Sequence, residues 1–367
     1  MELNLYVFDS SITPLGVIDV VTGLTWEEKF ADAGNFELWC PLNDQNAGLL
    51  QEDNLLWISG ESAGVIEFKE LTSDTDGAET IHVQGRLAES YLDYRTIYPT
   101  VSMTGKISNI LRKHVDSNLI NPTDAARKIP LIELASDQIA LGDSVSYQKT
   151  GDTVLLECSS LCQANQLGFK LQFFPRLHKF TFRVYQGTDR SLDQSVNNPV
   201  LFSSDLDDIL ESNYSHNKSE MRNLAYVAGE GSGTSRRVQT VGTATGLARR
   251  ELFVDARDLQ STKDDGTTIP DAEYNSMLVE RGKTSLEDYK DIESFSATLR
   301  TFGVTGYVYG VDFFLGDIVT VYDSRLKVRT NAVVTSVMKT YDEDGERLGI
   351  TFGYEQPTLA NKLRRRM

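Results

Sequence analysis

Gly229-Glu-Gly231-Ser-Gly233 is the stretch most able to do chemistry, because closely spaced glycines let successive backbone N–H groups wrap an anion. The residues that follow, SRRVQTVG, alternate as a strand and open no helix, and no Walker lysine follows. Without a helix N-terminus there is no dipole to hold a phosphate, so the stretch reads as a hairpin loop. Cys158 and Cys162 sit four apart on an expected helix, and Cys40 lies far away. Zinc would need paired C-x-x-C knuckles or nearby histidines, whereas His82, His114, His178 and His216 fall in unrelated segments. Three cysteines cannot all pair within one chain, so buried thiols and a reduced compartment are expected. DTDG at 74–77 lacks the third acid and the distal glutamate of a calcium loop. No G-x-S-x-G elbow and no H-E-x-x-H occurs, and His178 and His216 are expected in turns. No catalytic, cofactor-binding or metal-ligating residue is therefore assigned, and no enzymatic activity is expected.

The elements that carry these residues are mostly strands. Phe36, Leu38 and Cys40 alternate with Asn35, Glu37 and Trp39, with Gly34 supplying a turn before them. Similar runs at 4–8, 16–21, 55–59, 64–72 and 79–85 make residues 1–98 a small sandwich or barrel. At 104–119 the period changes: Ile107, Ile110, Leu111 and Val115 share a helical face, with Thr104 placed as N-cap. A second helix is expected over 152–167, ended by Gly168 in a left-handed cap, and the segment between the two reads as irregular. Runs 169–174 and 179–187 form a hairpin around Pro175, completing an α+β insertion over 99–190. After a connecting segment at 191–222, residues 223–358 read as a second strand-rich domain. It is interrupted by a helical insertion at 267–289 with Tyr274, Met277, Leu278 and Arg281 on one stripe, and the chain closes on a basic tail at 359–367.

At 367 residues the chain is long enough for two to four domains, and its apolar runs fall short of a bilayer span. The first residues lack the basic start and apolar core of a secretory signal. Of the net charge of −17, residues 1–98 hold −14, from 18 acids against Lys29, Lys69, Arg86 and Arg95. Such a segment is not built to grip nucleic acid, since phosphate affinity comes from Lys and Arg. The tail's Lys362, Arg364, Arg365 and Arg366 have no interleaved aromatics, so a short contact or frayed end is favoured over a nucleic-acid site.

The segment LTWEEKFADAGNFELWCPL at 24–42 resembles the start of tail-hub proteins of long-tailed bacteriophages. VYQGTDRS (184–191), YVAGEGSG (226–233), RRELFVDARDL (249–259), MLVERG (277–282), VYGVDFFLGDIVTV (308–321) and LGITFGYEQPTL (348–359) follow in the family's order. The resemblance implies a mostly β α+β chain with two tube-like β-barrel domains, three copies of which close into a pseudo-sixfold ring at the distal end of the virion tail. It implies as partners the tail tube and distal tail protein, the tape-measure protein, and tip fibre or receptor-binding proteins. DNA would pass transiently through the ring, and the acids Glu61, Glu67, Glu70, Asp74, Asp76 and Glu79 would help keep the passage slippery. Two alternatives compete: a tail-associated peptidoglycan hydrolase acting through 99–190, and a carbohydrate-binding attachment module. Trp26, Trp39 and Trp57 suit the core of the first domain as well as they would suit a sugar platform.

Overall fold

Alternating apolar and polar side chains build the first seven strands, seen in a computed structural model that describes residues 4–60, 62–73, 79–206, 209–262, 266–299, 307–343 and 345–353. They are β1 (Leu5–Phe8), β2 (Pro14–Ile18), β3 (Gly23–Lys29), β4 (Asn35–Pro41), β5 (Leu55–Trp57), β6 (Ala63–Ser73) and β7 (Glu79–Leu87), with a short helix α1 (Asp44–Leu49) after β4. Phe36, Leu38 and Cys40 of β4 are buried, together with Trp26, as the expected period of two requires. Gly34 serves a different purpose from the turn freedom expected of it. Its φ is not positive; a Cβ there would lie 2.0 Å from the Glu27 carbonyl oxygen and 2.6 Å from Leu87 Cδ1, so glycine permits a close approach. Gly34→Ala is expected to cost about 3 kcal/mol, the upper end for overpacking, as a lower midpoint in urea.

The 99–190 region holds more strand than its sequence suggests. β8 (Thr96–Lys106) precedes α2 (Ile107–Val115), β9 (Ile132–Leu134) and β10 (Ser144–Thr153) precede α3 (Val154–Asn165), and the expected hairpin is β11 (Gly168–Phe174) with β12 (Lys179–Tyr185). Thr104 is a strand residue paired with Ser146 of β10 and caps nothing, because β8 runs on to Lys106. Gln166, at φ 53°, takes the left-handed position expected of Gly168, while Gly168 opens β11 where a Cβ would strike the Phe30 ring at 2.3 Å. The stretch read as irregular contains β9 and β10, whose pairings come from β12 and β8, far off in sequence.

The remaining strands are β13 (Leu201–Ser203), β14 (Ile209–Asn217), β15 (Leu224–Ala228), β16 (Val238–Val241), β17 (Glu251–Asp255), β18 (Ile292–Leu299), β19 (Ile318–Asp323), β20 (Val328–Asp342) and β21 (Gly345–Gly353). Helix α4 (Asp271–Glu287) begins after Pro270 and buries Tyr274, Met277 and Leu278 against β15–β17 as its stripe predicts. β13 and β14 lie in the segment read as a connection, and His216 sits in β14, not in a turn. The early and late strands, expected in separate barrels, share one 13-stranded sheet because β3 pairs antiparallel with β20. Its path runs β14-β18-β21-β20-β3-β4-β7-β6-β5-β1-β2, with β19 joined to β20 and β13 to β19. Its end strands β14 and β2 do not pair among the described residues, which show no closed barrel. The chain is mostly β, and no helix among the described residues is long and apolar enough to cross a membrane.

Candidate functional site

Four elements converge on a buried polar junction. His114 comes from α2, Tyr147 and Lys149 from β10, Glu157 from α3 and Arg281 from α4. Tyr147 donates its one hydroxyl proton to Glu157 Oε1 at 2.6 Å, so His114 Nε2–H must donate to Tyr147 across 3.0 Å. The lone pair is then on His114 Nδ1, which is buried without a partner. Lys149 Nζ lies 3.1 Å from Glu157 Oε2 and 2.6 Å from Asp152, while Arg281 pairs with Asp258 at 2.8 Å. Burial would raise the Glu157 carboxyl, but the charges of Lys149, His114 and Arg281 and the Tyr147 hydrogen bond hold it down at about 2. Burial lowers His114 to about 4, so it is neutral at pH 7. A cavity of about 240 Å³ lies against this cluster, with Ser160, Glu280 and Thr284 also in its wall. Each charge already has an opposite charge beside it: Lys149–Glu157 fastens β10 to α3, Arg281–Asp258 fastens α4 to the turn after β17, and Arg281 also donates to the Gln148 carbonyl of β10 at 3.4 Å.

A second cavity, of about 330 Å³, opens between β3, the turn after β7, the β11–β12 hairpin and the loop before β19. Glu28 accepts from Tyr309 at 3.0 Å and from Ser62 Oγ at 3.2 Å. Glu89, 4% exposed, accepts the Leu171 N–H at 2.9 Å through Oε1, leaving Oε2 without a partner. Burial pushes the Glu89 carboxyl up to about 7, against the opposing Leu171 hydrogen bond. Asp317, buried, accepts from the N–H groups of Thr188 and Phe314 and from Arg190 at 2.7, 3.0 and 2.9 Å. It follows Gly316, whose φ of +90° makes the expected turn into β19.

The sequence-singled residues fall out singly. Gly229–Gly233 links β15 to β16 as a loop, with Glu230 accepting from Ser261 and one 3-10 turn, Gly233–Ser235, but no α-helix before β16. Cys40, Cys158 and Cys162 are free and buried, and burial pushes Cys40 up to about 11. Among the described residues no group of three or more His, Cys, Asp or Glu side chains is placed to hold a metal. His82 stacks on Trp39 at 4.7 Å and meets Glu37 at 2.7 Å, His178 holds a hairpin turn, and His216 pairs with Asp291 at 3.1 Å. The charges of 249–259 pair within the chain, as Arg249 with Glu251, Arg236 and Arg257 with Asp255, and Arg281 with Asp258. DTDG at 74–77, Glu61 and the basic tail lie outside the described residues. The junction and the Glu89 cleft were missed because their members sit on separate elements; the alternation of Val145, Tyr147 and Lys149 was the one local sign of β10.

The sequence profile of the Siphovirus ReqiPepy6 Gp37-like proteins matches residues 4–354. The chain belongs to that siphovirus tail-protein family. No curated protein matches it. In fold it is similar to a tail protein from Neisseria meningitidis MC58, at 14% identity and TM-score 0.57 over 97% of both chains. A 43 kDa tail protein of prophage MuSo2 from Shewanella oneidensis is similar at 11% identity and TM-score 0.55, over 95% of this chain and 98% of that one. Prophage tail protein gp18 from Listeria monocytogenes EGD-e follows at 10% identity and TM-score 0.53, over 98% and 97%. The expected tail-protein family thus stands, and a phage tail protein belongs to the virion tail. In this siphovirus tail protein the Tyr147, Lys149 and Glu157 polar groups lie between packed elements.

Proposed function

We propose that this tail protein is a structural hub: three copies close into a ring that adapts the tail tube to the tip and leaves a channel for DNA. The observation that carries the reading is the sheet itself. Strands from both ends of the chain share it, and β2 and β14 at the ends of its main path, with β13 at the end of its branch, each have one side without a partner strand among the described residues. An open edge invites another strand, and cyclic closure removes such edges. Each copy would place two tube-like units in the ring, one from 1–98 and one from 223–358, with 99–190 and 267–289 outside them, 191–222 as connection and 359–367 as tail. The tail tube, distal tail protein, tape-measure protein and tip fibres or receptor-binding proteins would adjoin it at the distal end of the tail.

Native mass spectrometry of the purified protein and of the tail tip is expected to show three chains together. A stable monomer at high concentration, with no trimer in the assembled tip, overturns the reading. The hub is expected to be non-enzymatic, so release of soluble muropeptides above a heat-treated control would instead support a hydrolase. The acids of 1–98 would make the channel unattractive to phosphates.

A further inference from the structure

The cleft beside Glu89 has the lining of a ligand site that structural packing does not use. Its carboxyl groups are Glu28, Glu89 and Asp317, and its cations are Lys29, Lys170 and Arg183. Most of these are already answered: Lys29 by Glu27 at 3.3 Å, Arg183 by Asp137 at 2.7 Å and Asp317 by Arg190 at 2.9 Å. With those three paired, Glu28 and Lys170 remain as one acid against one base and Glu89 is neutral below about 7, so the lining does not call for an ion. It offers instead the side chains of Gln186 and Thr188, the acceptor lone pairs of Ser62 and Tyr309, whose hydroxyl protons go to Glu28, and the carboxyl of Glu89, whose Oε2 has no partner. Buried polar groups are seldom left so, because an unmade hydrogen bond costs about 1–3 kcal/mol.

Aromatic rings complete the lining. Tyr185 and Tyr309 form walls and Phe314, 43% exposed, stands at the mouth. A guest with hydroxyls around its rim and a C–H face to lay on a ring meets both demands. The volume, about 330 Å³, is at the low end of small-molecule sites and suits one ring. We propose that this cleft binds one uncharged pyranose ring, either a free monosaccharide or the terminal sugar of a glycan. The hub reading does not assign such a site, and the sugar site does not depend on ring assembly.

The probes are free glucose, galactose and N-acetylglucosamine, and short oligosaccharides ending in each, titrated into the purified full chain by saturation-transfer NMR. Binding of at least one sugar is expected with a Kd of about 1 mM, a value ordinary for a single-ring contact of about 4 kcal/mol. Tighter binding of the oligosaccharide identifies a glycan terminus as the guest, and equal binding identifies the free sugar. Phe314→Ala, a change at the exposed rim, should weaken binding about three- to tenfold. Because Glu89 is neutral below about 7, raising the pH from 6 to 8 should weaken binding about tenfold in the native protein and leave Glu89→Gln unaffected. Absence of sugar binding at ten times the expected Kd overturns the proposal. So does binding that Phe314→Ala leaves unchanged and whose pH dependence Glu89→Gln does not abolish, which would place the sugar elsewhere, and so does a cleft that takes arginine methyl ester while refusing every sugar.

Discussion

Glu89→Gln is expected to change how stability depends on pH between 4.5 and 7. Burial raises the Glu89 carboxyl from 4.5 to about 7, so between those values the folded chain holds a proton that the unfolded chain has released. Stability supplied by the neutral acid is therefore complete below 4.5 and is lost as pH rises through 7, to a total of about 3 kcal/mol. His114 works in the opposite sense. Its pKa is lowered from 6.5 to about 4 by burial, so the unfolded chain takes up the extra proton and stability rises with pH across that window. The two slopes oppose each other between 4.5 and 6.5. Glutamine removes one of them. Denaturation in urea at successive pH values should show the variant gaining on the native protein by about 1.4 kcal/mol per pH unit from 4.5 to 7, and by no more beyond. A difference that stays constant with pH would mean that Glu89 is not held neutral by its surroundings.

Lys149→Met should be the most destabilising substitution at the polar junction. It leaves Glu157, 6% exposed, without the cation that stands 3.1 Å away, and breaking a buried pair from one side costs about 3–5 kcal/mol. Adding Glu157→Gln removes the stranded charge and should recover most of that loss, since Tyr147 can still donate to the amide oxygen. The pH dependence carries the same signature. The Glu157 carboxyl is held at about 2 against an ordinary 4.5, so its contribution is present above 4.5 and disappears as pH falls through 2. The gap between Lys149→Met and the native protein should accordingly narrow in acid. Equal stability of single and double variants at pH 7 would show that Glu157 gains nothing from Lys149. Because the pair fastens α3 to β10, the single variant should also expose amides of α3 to hydrogen exchange before those of the main sheet.

Much of the chain was readable from local pattern. Alternation at Asn35–Pro41, the hairpin of β11 and β12, the stripe on α4 and the strand after Gly229–Gly233 each depend on neighbours in sequence, and each stands in the structure. So do the buried thiols, because apolar spacing on α3 already marks the face that Cys158 and Cys162 share. Tertiary structure decided what sequence neighbours could not. Thr104 looked like a cap until β10 paired with it, and Gly34 looked like a turn residue until Glu27 and Leu87 closed around it. The joining of β3 to β20 spans some three hundred residues, and no local period encodes which edge meets which. The polar junction and the Glu89 cleft are of the same kind. A glutamate's type and spacing do not reveal that packing will strip it of water: desolvation by distant elements sets Glu89 near 7, while at Glu157 Lys149 and its other neighbours outweigh the same desolvation and hold it near 2.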